Sequence, residues 1–402
     1  MISSPVCSPK NLTRPLPLFP VTTVGSWPRP PVVLRALRQK QKGIISSEEF
    51  EEIANDAVLD VLRKQENAGV DIVTDGEQRR DNFYSFVAER LQGVRLTTLA
   101  EMLEIVEDKA GFERILQTLD VPSYAIKNPT CIGPLKRRQP LALHEYQFLR
   151  QHTTLPIKVP LPGPYLLTRA MWVKEVTRET YPTKEDLAEE VVQILRAEIW
   201  ELHQEGVDFI QLDEPVLTEL VFTQGQTRTF MCAALAARKD PAKELEFAVD
   251  LINRVIEGLE DSRIGLHICR GNWSQQEAIL LKGSYHPLTP YLSRLKVKQL
   301  VLEFATPRAG ELAALLGSNE IVRNKELGLG VTNPRSTAIE SVSSIESRVE
   351  EALRFLPASR IFLNPDCGFG TFSGRPVSSI EIAAQKLEAM VKAASLLRER
   401  YG

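Results

Sequence analysis

The sequence repeats one unit, a short run of β-branched apolar residues that adjoins a longer segment with helical spacing. "VDIVTDGE" at 70–77 and "VDFIQLDEP" at 207–215 each follow a helical segment that ends at a glycine. The second of these helical segments begins with an N-cap pair, Thr183 and Asp186. Continuous apolar strands that alternate with helices indicate a parallel sheet.

Eight candidate strands occur along the chain. They are FPVTTVGSW, VDIVTDGE, IKVPLPGPYLL, VDFIQLDEP, RIGLHICRGN, QLVLEFATP, ELGLGVTNP and RIFLNPDCGFG. Eight strand–helix units predict an α/β fold with a single TIM (β/α)8 barrel, and two Rossmann-like halves are the competing arrangement. No GxGxxG follows a strand and no GxxxxGK[ST] occurs, so loops that bind nucleotide phosphates are not supported.

The domain organisation follows from where this alternation starts and where it is interrupted. We expect residues 1–18 to be an N-terminal lead-in and residues 19–402 to form one catalytic barrel. The stretch 80–155 does not fit the alternation and carries the basic run "LKRRQP". It is therefore predicted to be an insertion after the second strand that caps the barrel mouth.

Composition restricts the compartment and the partners. Of 402 residues, 43% are hydrophobic and 25% are charged, and the formal net charge is -3 at pH 7. These values allow a sizeable core and argue against a nucleic-acid or anionic-membrane surface. No run approaches the roughly 18 apolar residues of a membrane span, and the proline-rich N-terminus does not suit a signal peptide. We expect a cytoplasmic protein with reduced cysteines, of which Cys7, Cys131 and Cys232 lack a functional context.

Polar residues cluster at the carboxyl ends of the predicted strands, where barrel enzymes carry their chemistry. Buried polar groups are costly without partners, so such a cluster favours a functional site. The residues at these ends are Ser26, Asp75, Glu77, Asp213, Glu214, His267, Cys269, Glu303, Asp366 and Cys367.

Four of these residues form a candidate zinc site. His267 and Cys269 are two positions apart, so both side chains face the same way from one strand. Cys367 and Glu303 can approach from two other strands. An imidazole, two thiolates and a carboxylate suit Zn²⁺ better than Mg²⁺ or Ca²⁺. The structural alternative is a hydrogen-bonded core histidine beside a small thiol, with Glu303 in an ion pair with Arg308 or Arg335.

The acidic residues suggest a second function for the same site. Asp75, Glu77, Asp213 and Glu214 can each be a helix N-cap or an ion-pair partner. Glu77 and Asp213, together with Ser26, would also form a negative pocket that suits an ammonium group.

Several motifs, in the same order, resemble the cobalamin-independent methionine synthase family. They are TTVGSWPRP, GVDIVTDGEQRRDNF, IQLDEPVL, LHICRGNW, LVLEFATP, LGLGVTNP and LNPDCGFGTF, and they extend from Thr22 to Phe372. The resemblance is to the catalytic C-terminal barrel, so the chain looks like the short, core form of the family.

The resemblance implies a zinc-dependent methyltransferase that acts on a thiol, usually homocysteine, and forms methionine. His267, Cys269, Glu303 and Cys367 match the zinc ligands of the family. Ser26, Glu77 and Asp213 match the residues that hold the amino-acid part of homocysteine.

Two departures concern the methyl donor. The family carries an Asp and a His near "GLGVTNPRS" that help to protonate a folate leaving group, and here Asn333 and Arg335 stand nearby. The tryptophan on which folate stacks is matched only by Trp172, displaced by about two positions. These differences favour a methylcobamide or corrinoid-protein donor over methylfolate.

Alternative functions remain open from the sequence. A related zinc barrel could alkylate another thiol such as coenzyme M, although such an acceptor has no use for two acids. A metal-binding barrel with degenerate catalysis would explain the absent Asp–His pair. A metal-free decarboxylase barrel of the uroporphyrinogen decarboxylase type would leave both thiols unexplained.

Overall fold

The computed structural model describes residues 15–110, 112–113, 127–222, 240–260, 262–276, 280–317 and 319–402. Cys7 and Cys232 lie outside these ranges. The strands are β1 Leu91–Thr98, β2 Lys127–Arg137, β3 Lys158–Pro162, β4 Phe209–Asp213, β5 Ile264–Ile268, β6 Gln299–Leu302, β7 Glu326–Thr332 and β8 Ile361–Pro365.

Helices connect and cover the strands. The α-helices with assigned bounds are α1 Pro31–Gln41, α2 Ser47–Ala68, α3 Val87–Arg90, α4 Leu99–Ile105, α5 Leu143–Arg150, α6 Pro164–Met171, α7 Lys174–Thr177, α8 Lys184–Gln204, α9 Val216–Phe222, α10 Pro241–Val255, α11 Thr289–Leu292, α12 Leu312–Leu316, α13 Glu320–Arg323, α14 Val342–Leu353 and α15 Ile380–Tyr401. Three short 3₁₀ segments cover His286–Leu288, Pro307–Ala309 and Ala358–Arg360.

Strands β3 to β8 form a six-stranded parallel sheet in which each strand pairs with the next in sequence. This order lacks the reversal that creates a switch point in a doubly wound sheet, so the sheet does not have the Rossmann-like arrangement. All residues of these six strands are buried, as expected for a parallel sheet covered by helices. The predicted α/β class is therefore confirmed.

Two further segments bridge the edges of this sheet. The backbone N–H of Thr22 donates to the carbonyl of Leu363 in β8 (3.0 Å), and that of Val73 donates to Pro156 just before β3 (2.9 Å). A parallel bridge also joins Thr22 to Ile72. The residues that follow these two segments therefore lie at the same edge as the carboxyl ends of the six strands.

Capping residues mark where two long helices, α2 and α8, begin. Ser46 and Glu49 form a capping box at the start of α2, and Thr183 and Asp186 form one at the start of α8, which confirms the predicted N-cap. Helix α2 ends at Gly69, whose φ of 84° is readily adopted only by glycine. These helices pack with α15 and α10 respectively on the outside of the sheet.

The segment predicted as an insertion contains an antiparallel hairpin, β1 with β2, followed by α5. The Asn128 side chain donates to the carbonyl of Ala170 in α6 (2.6 Å). The Thr177 hydroxyl in α7 donates to the carbonyl of Cys131 (2.8 Å). The hairpin is thus attached to the helices that follow β3. Among the described helices, none is long and apolar enough to cross a membrane.

Candidate active site

Three of the four predicted metal ligands converge. His267 is in β5, Cys269 follows two positions later, and Cys367 lies in the loop after β8. One ligand atom from each of these residues lies within 4.8 Å of the other two. His267 and Cys269 are 3% and 6% exposed, so the group is enclosed by protein.

The contacts of the His267 imidazole favour the tautomer that metal binding requires. Its Nδ1 lies 3.2 Å from the carbonyl of Val301 in the neighbouring strand β6. An N–H at Nδ1 donates to that carbonyl and leaves the lone pair on Nε2. Nε2 is buried and has no hydrogen-bond partner within the described residues. A buried, unpaired imidazole nitrogen beside two thiols fits a zinc ion.

A hydrogen bond joins the thiols of Cys269 and Cys367. This hydrogen bond, opposed by burial and reinforced by His267, holds the pKa of Cys269 well below its usual value. The same contact with Cys269, together with burial, holds the pKa of Cys367 well above its usual value. The lowered pKa of Cys269 favours its thiolate, which is the form that binds metal.

Glu303 borders this group but is held by other partners. Its carboxylate accepts hydrogen bonds from the Arg270 backbone N–H (2.7 Å), from Arg308 Nη2 (3.1 Å) and from the Asn272 side chain. It is not part of the three-residue group. The ion pair with Arg308 is the structural alternative considered from the sequence, whereas Arg335 donates instead to Asn272 Oδ1 (3.0 Å).

The predicted ammonium-binding residues line the same pocket as the three ligands. The volume of this pocket is about 700 Å³, including space open to solvent. Ser26, Glu77 and Asp213 lie in its wall with His267, Cys269 and Cys367. The sequence therefore predicted six residues that share one cavity.

Glu77 is presented by a strained backbone. Its φ is 53°, a left-handed value that is uncommon for a residue with a side chain. The Glu77 N–H donates to Asp75 Oδ1 (2.9 Å), and the Glu77 carbonyl accepts from Arg29 Nη2 (2.7 Å). A Cβ on Gly25 would lie 2.5 Å from Glu77 Oε1, so this carboxylate needs glycine there. Oε2 is buried without a hydrogen-bond partner among the described residues.

Burial controls the charge of both acids. It raises the pKa of Glu77 to about 7, opposed by Arg80 and reinforced by the nearby Asp213. It raises the pKa of Asp213 to about 6, opposed by His267 and by a hydrogen bond from Gln211. Two buried carboxylates in one pocket favour a cationic ligand, which would stabilise both ionised forms.

Ser26 and the loop after β8 are in close contact. The Thr371 backbone N–H donates to Ser26 Oγ (3.2 Å). A Cβ on Gly368 would lie 2.1 Å from Ser26 Oγ, so only glycine allows this approach. The contact brings Ser26 next to the loop that carries Cys367.

The other polar residues at strand ends have structural partners and do not line the pocket. Glu214 accepts from the N–H groups of Tyr165 (2.7 Å) and Leu166 (3.0 Å) at the start of α6. Asp366 accepts from the N–H groups of Phe304 and Ala305, both at 2.9 Å. Both acids accept hydrogen bonds from backbone groups, and for Glu214 this is the structural alternative that the sequence left open.

The pocket also has lining residues that the sequence analysis did not identify. An acid, Glu219, lies six positions after Asp213 in α9, and this spacing was its only signal. The apolar wall includes Phe83, Trp273 and Phe372, and Phe83 is the one lining residue from the described part of 80–155. Aromatic residues in loops after strands resemble ordinary core residues in a sequence, so they gave no separate signal.

The sequence departs from the family at three residues related to the methyl donor, and none of them lines the pocket: Trp172, Asn333 and Arg335. Trp172 does not line the pocket, and its Nε1 donates to the carbonyl of Tyr181 (3.1 Å). Asn333 accepts from the Arg335 N–H (3.1 Å), and its own N–H donates to Glu340 (2.8 Å).

Comparisons with known proteins agree with this geometry. A sequence profile described as the catalytic domain of cobalamin-independent synthase matches residues 19–396. The methionine synthase of Pyrococcus furiosus is 29% identical over 385 residues, which are 96% of this chain and 94% of that protein. The methionine synthase of Pyrococcus abyssi is 30% identical over the same shares.

A solved structure gives the same result. A B12-independent methionine synthase from a Shewanella species, in complex with selenomethionine, has a TM-score of 0.71 at 25% identity, covering 95% of this chain and 98% of that one. Fold and site together define an α/β protein in which a His–Cys–Cys group and two carboxylates line one pocket. Within that class, the chain belongs to the cobalamin-independent methionine synthase family and corresponds to its catalytic domain, so the resemblance found in the sequence is confirmed.

Proposed function

We propose that the chain transfers a methyl group to the sulfur of homocysteine and so forms methionine. The observation that carries this proposal is one pocket that presents His267, Cys269 and Cys367 together with Glu77 and Asp213. A thiol that carries an ammonium group complements both halves of such a pocket. The methionine synthase relatives support the same substrate.

The three converging residues would hold Zn²⁺, with Glu303 as the fourth ligand. Nitrogen and sulfur ligands favour this ion over magnesium or calcium. Bound zinc would supply a Lewis acid that keeps a substrate thiol ionised at neutral pH. Glu303 must exchange a hydrogen bond from Asn272 or Arg308 to act as a ligand, so it would be the most easily released of the four.

The amino-acid part of the substrate would lie against the acidic residues of the same pocket. Glu77 and Asp213 would accept hydrogen bonds from the ammonium group, and Ser26 would contact its polar end. Their burial excludes water, which strengthens the charge pairing. This placement would hold the sulfur at the cysteines and turn it toward the methyl donor.

For the donor we propose a methylcobamide, carried by a corrinoid protein, rather than 5-methyltetrahydrofolate. The sulfur lone pair forms the new S–C bond, and the electrons of the broken Co–C bond stay on cobalt, so the leaving group needs no proton. This suits a site in which Asn333 and Arg335 stand in place of an acid–histidine pair. The position of Trp172 outside the pocket also supports it.

We further propose that the sheet closes into an eight-stranded barrel. The parallel bridges at Val21, Thr22 and Val73 support closure of the ring between β8 and β3. Residues 1–18 would be a lead-in and 19–402 the barrel, with 80–155 beside its mouth, where Phe83 lines the pocket. The cytoplasm remains the expected compartment.

The test combines metal content with product formation. Purified protein should contain about one zinc per chain and convert homocysteine and methylcobalamin to methionine. The assay is repeated with 5-methyltetrahydrofolate as donor and with coenzyme M as acceptor. Expression in a methionine auxotroph tests acceptor and cellular donor together.

The other outcomes separate the alternatives. Zinc without methionine from any donor would favour a metal-binding barrel with degenerate catalysis. Faster methylation of coenzyme M than of homocysteine would assign the site to another thiol. Faster turnover with the folate would overturn the donor proposal and leave the acceptor proposal intact.

A further inference from the structure

Arg29 is a buried arginine behind the amino-acid side of the pocket. It is 4% exposed and does not line the cavity. Its Nη2 donates to the Glu77 carbonyl (2.7 Å), while Nε and Nη1 have no hydrogen-bond partner among the described residues. Burying a guanidinium for one hydrogen bond is unfavourable, so neighbouring charge must compensate. Glu77, Asp81 and Asp75 provide that negative charge.

Arg29 contacts the carbonyl of Glu77, the residue with the strained backbone. Residues 76 and 77 both have positive φ, 69° at Gly76 and 53° at Glu77. The left-handed region is unfavourable for Glu77, so surrounding contacts must hold it. Asp75 Oδ1 accepts the Glu77 N–H, and the Glu77 carbonyl accepts from both Arg29 and the Arg80 N–H (3.1 Å).

This backbone conformation decides where the Glu77 carboxylate lies. The side chain passes so close to Gly25 that a Cβ there would meet Oε1, and its Oε2 is left unpaired in the pocket wall. A relaxed backbone at residue 77 would turn the side chain in another direction. Arg29 thus holds the Glu77 carbonyl, and the backbone conformation fixed by this contact sets the position of the Glu77 carboxylate.

We infer that Arg29 is a positioning residue, which fixes the left-handed conformation of Glu77 and thereby aims its carboxylate at the substrate ammonium group. This inference rests on the proposed function, since it needs an amino-acid ligand. A residue that merely stabilised the fold would affect all ligands of the pocket equally. Arg29 should instead affect only ligands that carry an ammonium group.

The experiment compares methionine with its 2-hydroxy analogue, which has the same carboxylate and thioether but no ammonium group. Both are titrated into zinc-loaded protein, and the ratio of their dissociation constants is the readout. Arg29→Met should lower the preference for methionine about tenfold and leave zinc content unchanged. Glu77→Gln should lower it similarly, and the double variant should lose little more, because both changes remove one interaction.

Three variants complete the design. Arg29→Gln keeps a polar group in the buried site and should also lower the ratio, so it replaces Arg29→Met if that variant does not fold. Arg29→Lys keeps a charge and a donor and should restore most of the preference. Arg137→Met removes an arginine paired with Glu198 outside the pocket and should not change the ratio.

The outcomes distinguish two kinds of failure. A wild-type protein with no preference for methionine would overturn the ammonium subsite of the proposed function. A wild-type preference that persists in folded Arg29→Met or Arg29→Gln would overturn the role of Arg29 alone.

Discussion

The two walls of the pocket use the backbone in different ways. In the metal wall (His267, Cys269 and Cys367), His267 lies in β5 and Cys269 directly follows this strand, so strand alternation turns both side chains the same way. The amino-acid wall (Ser26, Glu77 and Asp213) depends on a strained residue and on two close approaches to glycine. Strand alternation is sufficient to place His267 and Cys269, whereas the Glu77 carboxylate, which keeps one unpaired oxygen, depends on an unusual backbone conformation.

The walls also differ in how their polar groups are satisfied. The two thiols of the metal wall are hydrogen-bonded to each other, and this contact lowers the pKa of Cys269. Glu77 of the amino-acid wall retains an oxygen without a partner. A metal ion would replace protein contacts on one side, while an ammonium group would add a missing contact on the other. The walls should therefore respond separately to substitution.

The largest effect should come from Cys269→Ser in the metal wall. Zinc bound by protein side chains gains about 10–16 kcal/mol, so the loss of one thiolate should weaken binding by more than about a hundredfold. Zinc content, measured by elemental analysis after dialysis, should fall to a small fraction of the wild-type value. Methionine formation should fall with it.

Cys131→Ser is the matched control, because Cys131 is also fully buried but lies in the hairpin strand β2. It should change stability without changing zinc content. Retention of zinc by Cys269→Ser would show that the metal wall is not a metal site.

An intermediate effect is expected from Asp213→Asn in the amino-acid wall. Loss of a charge-assisted hydrogen bond costs about 1.5–3 kcal/mol, so homocysteine and methionine should bind about thirtyfold more weakly. Zinc content should not change. The measurement is calorimetric titration of zinc-loaded protein.

Asp208→Asn is the matched control, because it makes the same Asp-to-Asn change at the opposite end of β4 from Asp213. Asp208 precedes β4 and accepts from the Ile157 N–H (2.8 Å), outside the pocket. It should leave both ligands unaffected. If Asp213→Asn also removed zinc, the two walls would not be separate subsites.

The metal wall was the more predictable of the two from sequence. The alternation of His267 and Cys269, and a cysteine in the glycine-rich loop at Cys367, predicted three candidate ligands that the structure brings together. Glu303 was predicted as a ligand, with an ion pair to Arg308 as the alternative, but sequence could not show that Asn272 also donates to its carboxylate. Such a contact depends on loops that meet only in the folded chain.

The amino-acid wall was predicted by residue but not by mechanism. Glu77 and Asp213 were identified as acids at strand ends, yet nothing in "TDGEQ" reveals a left-handed Glu77. The burial of Arg29 was also missed, because an arginine in a proline-rich loop normally predicts a solvated side chain. The parallel sheet, in contrast, followed directly from the apolar strands and the helix caps.

The smallest predicted effect is a pH dependence confined to the amino-acid wall. An ammonium ligand binds ionised carboxylates, and burial raises the pKa of Glu77 to about 7 and that of Asp213 to about 6. Affinity should therefore rise with pH, by about tenfold between pH 6 and pH 8 for a single group of pKa 7, and binding should release protons.

Methionine is the ligand of choice for this measurement because it has no thiol to titrate, and metal-stripped protein avoids the electrostatic effect of the bound cation on the two carboxylates. Glu77→Gln should flatten the rise, and the 2-hydroxy analogue should show none. An equally steep rise in Glu77→Gln would mean that another group controls the charge of this wall.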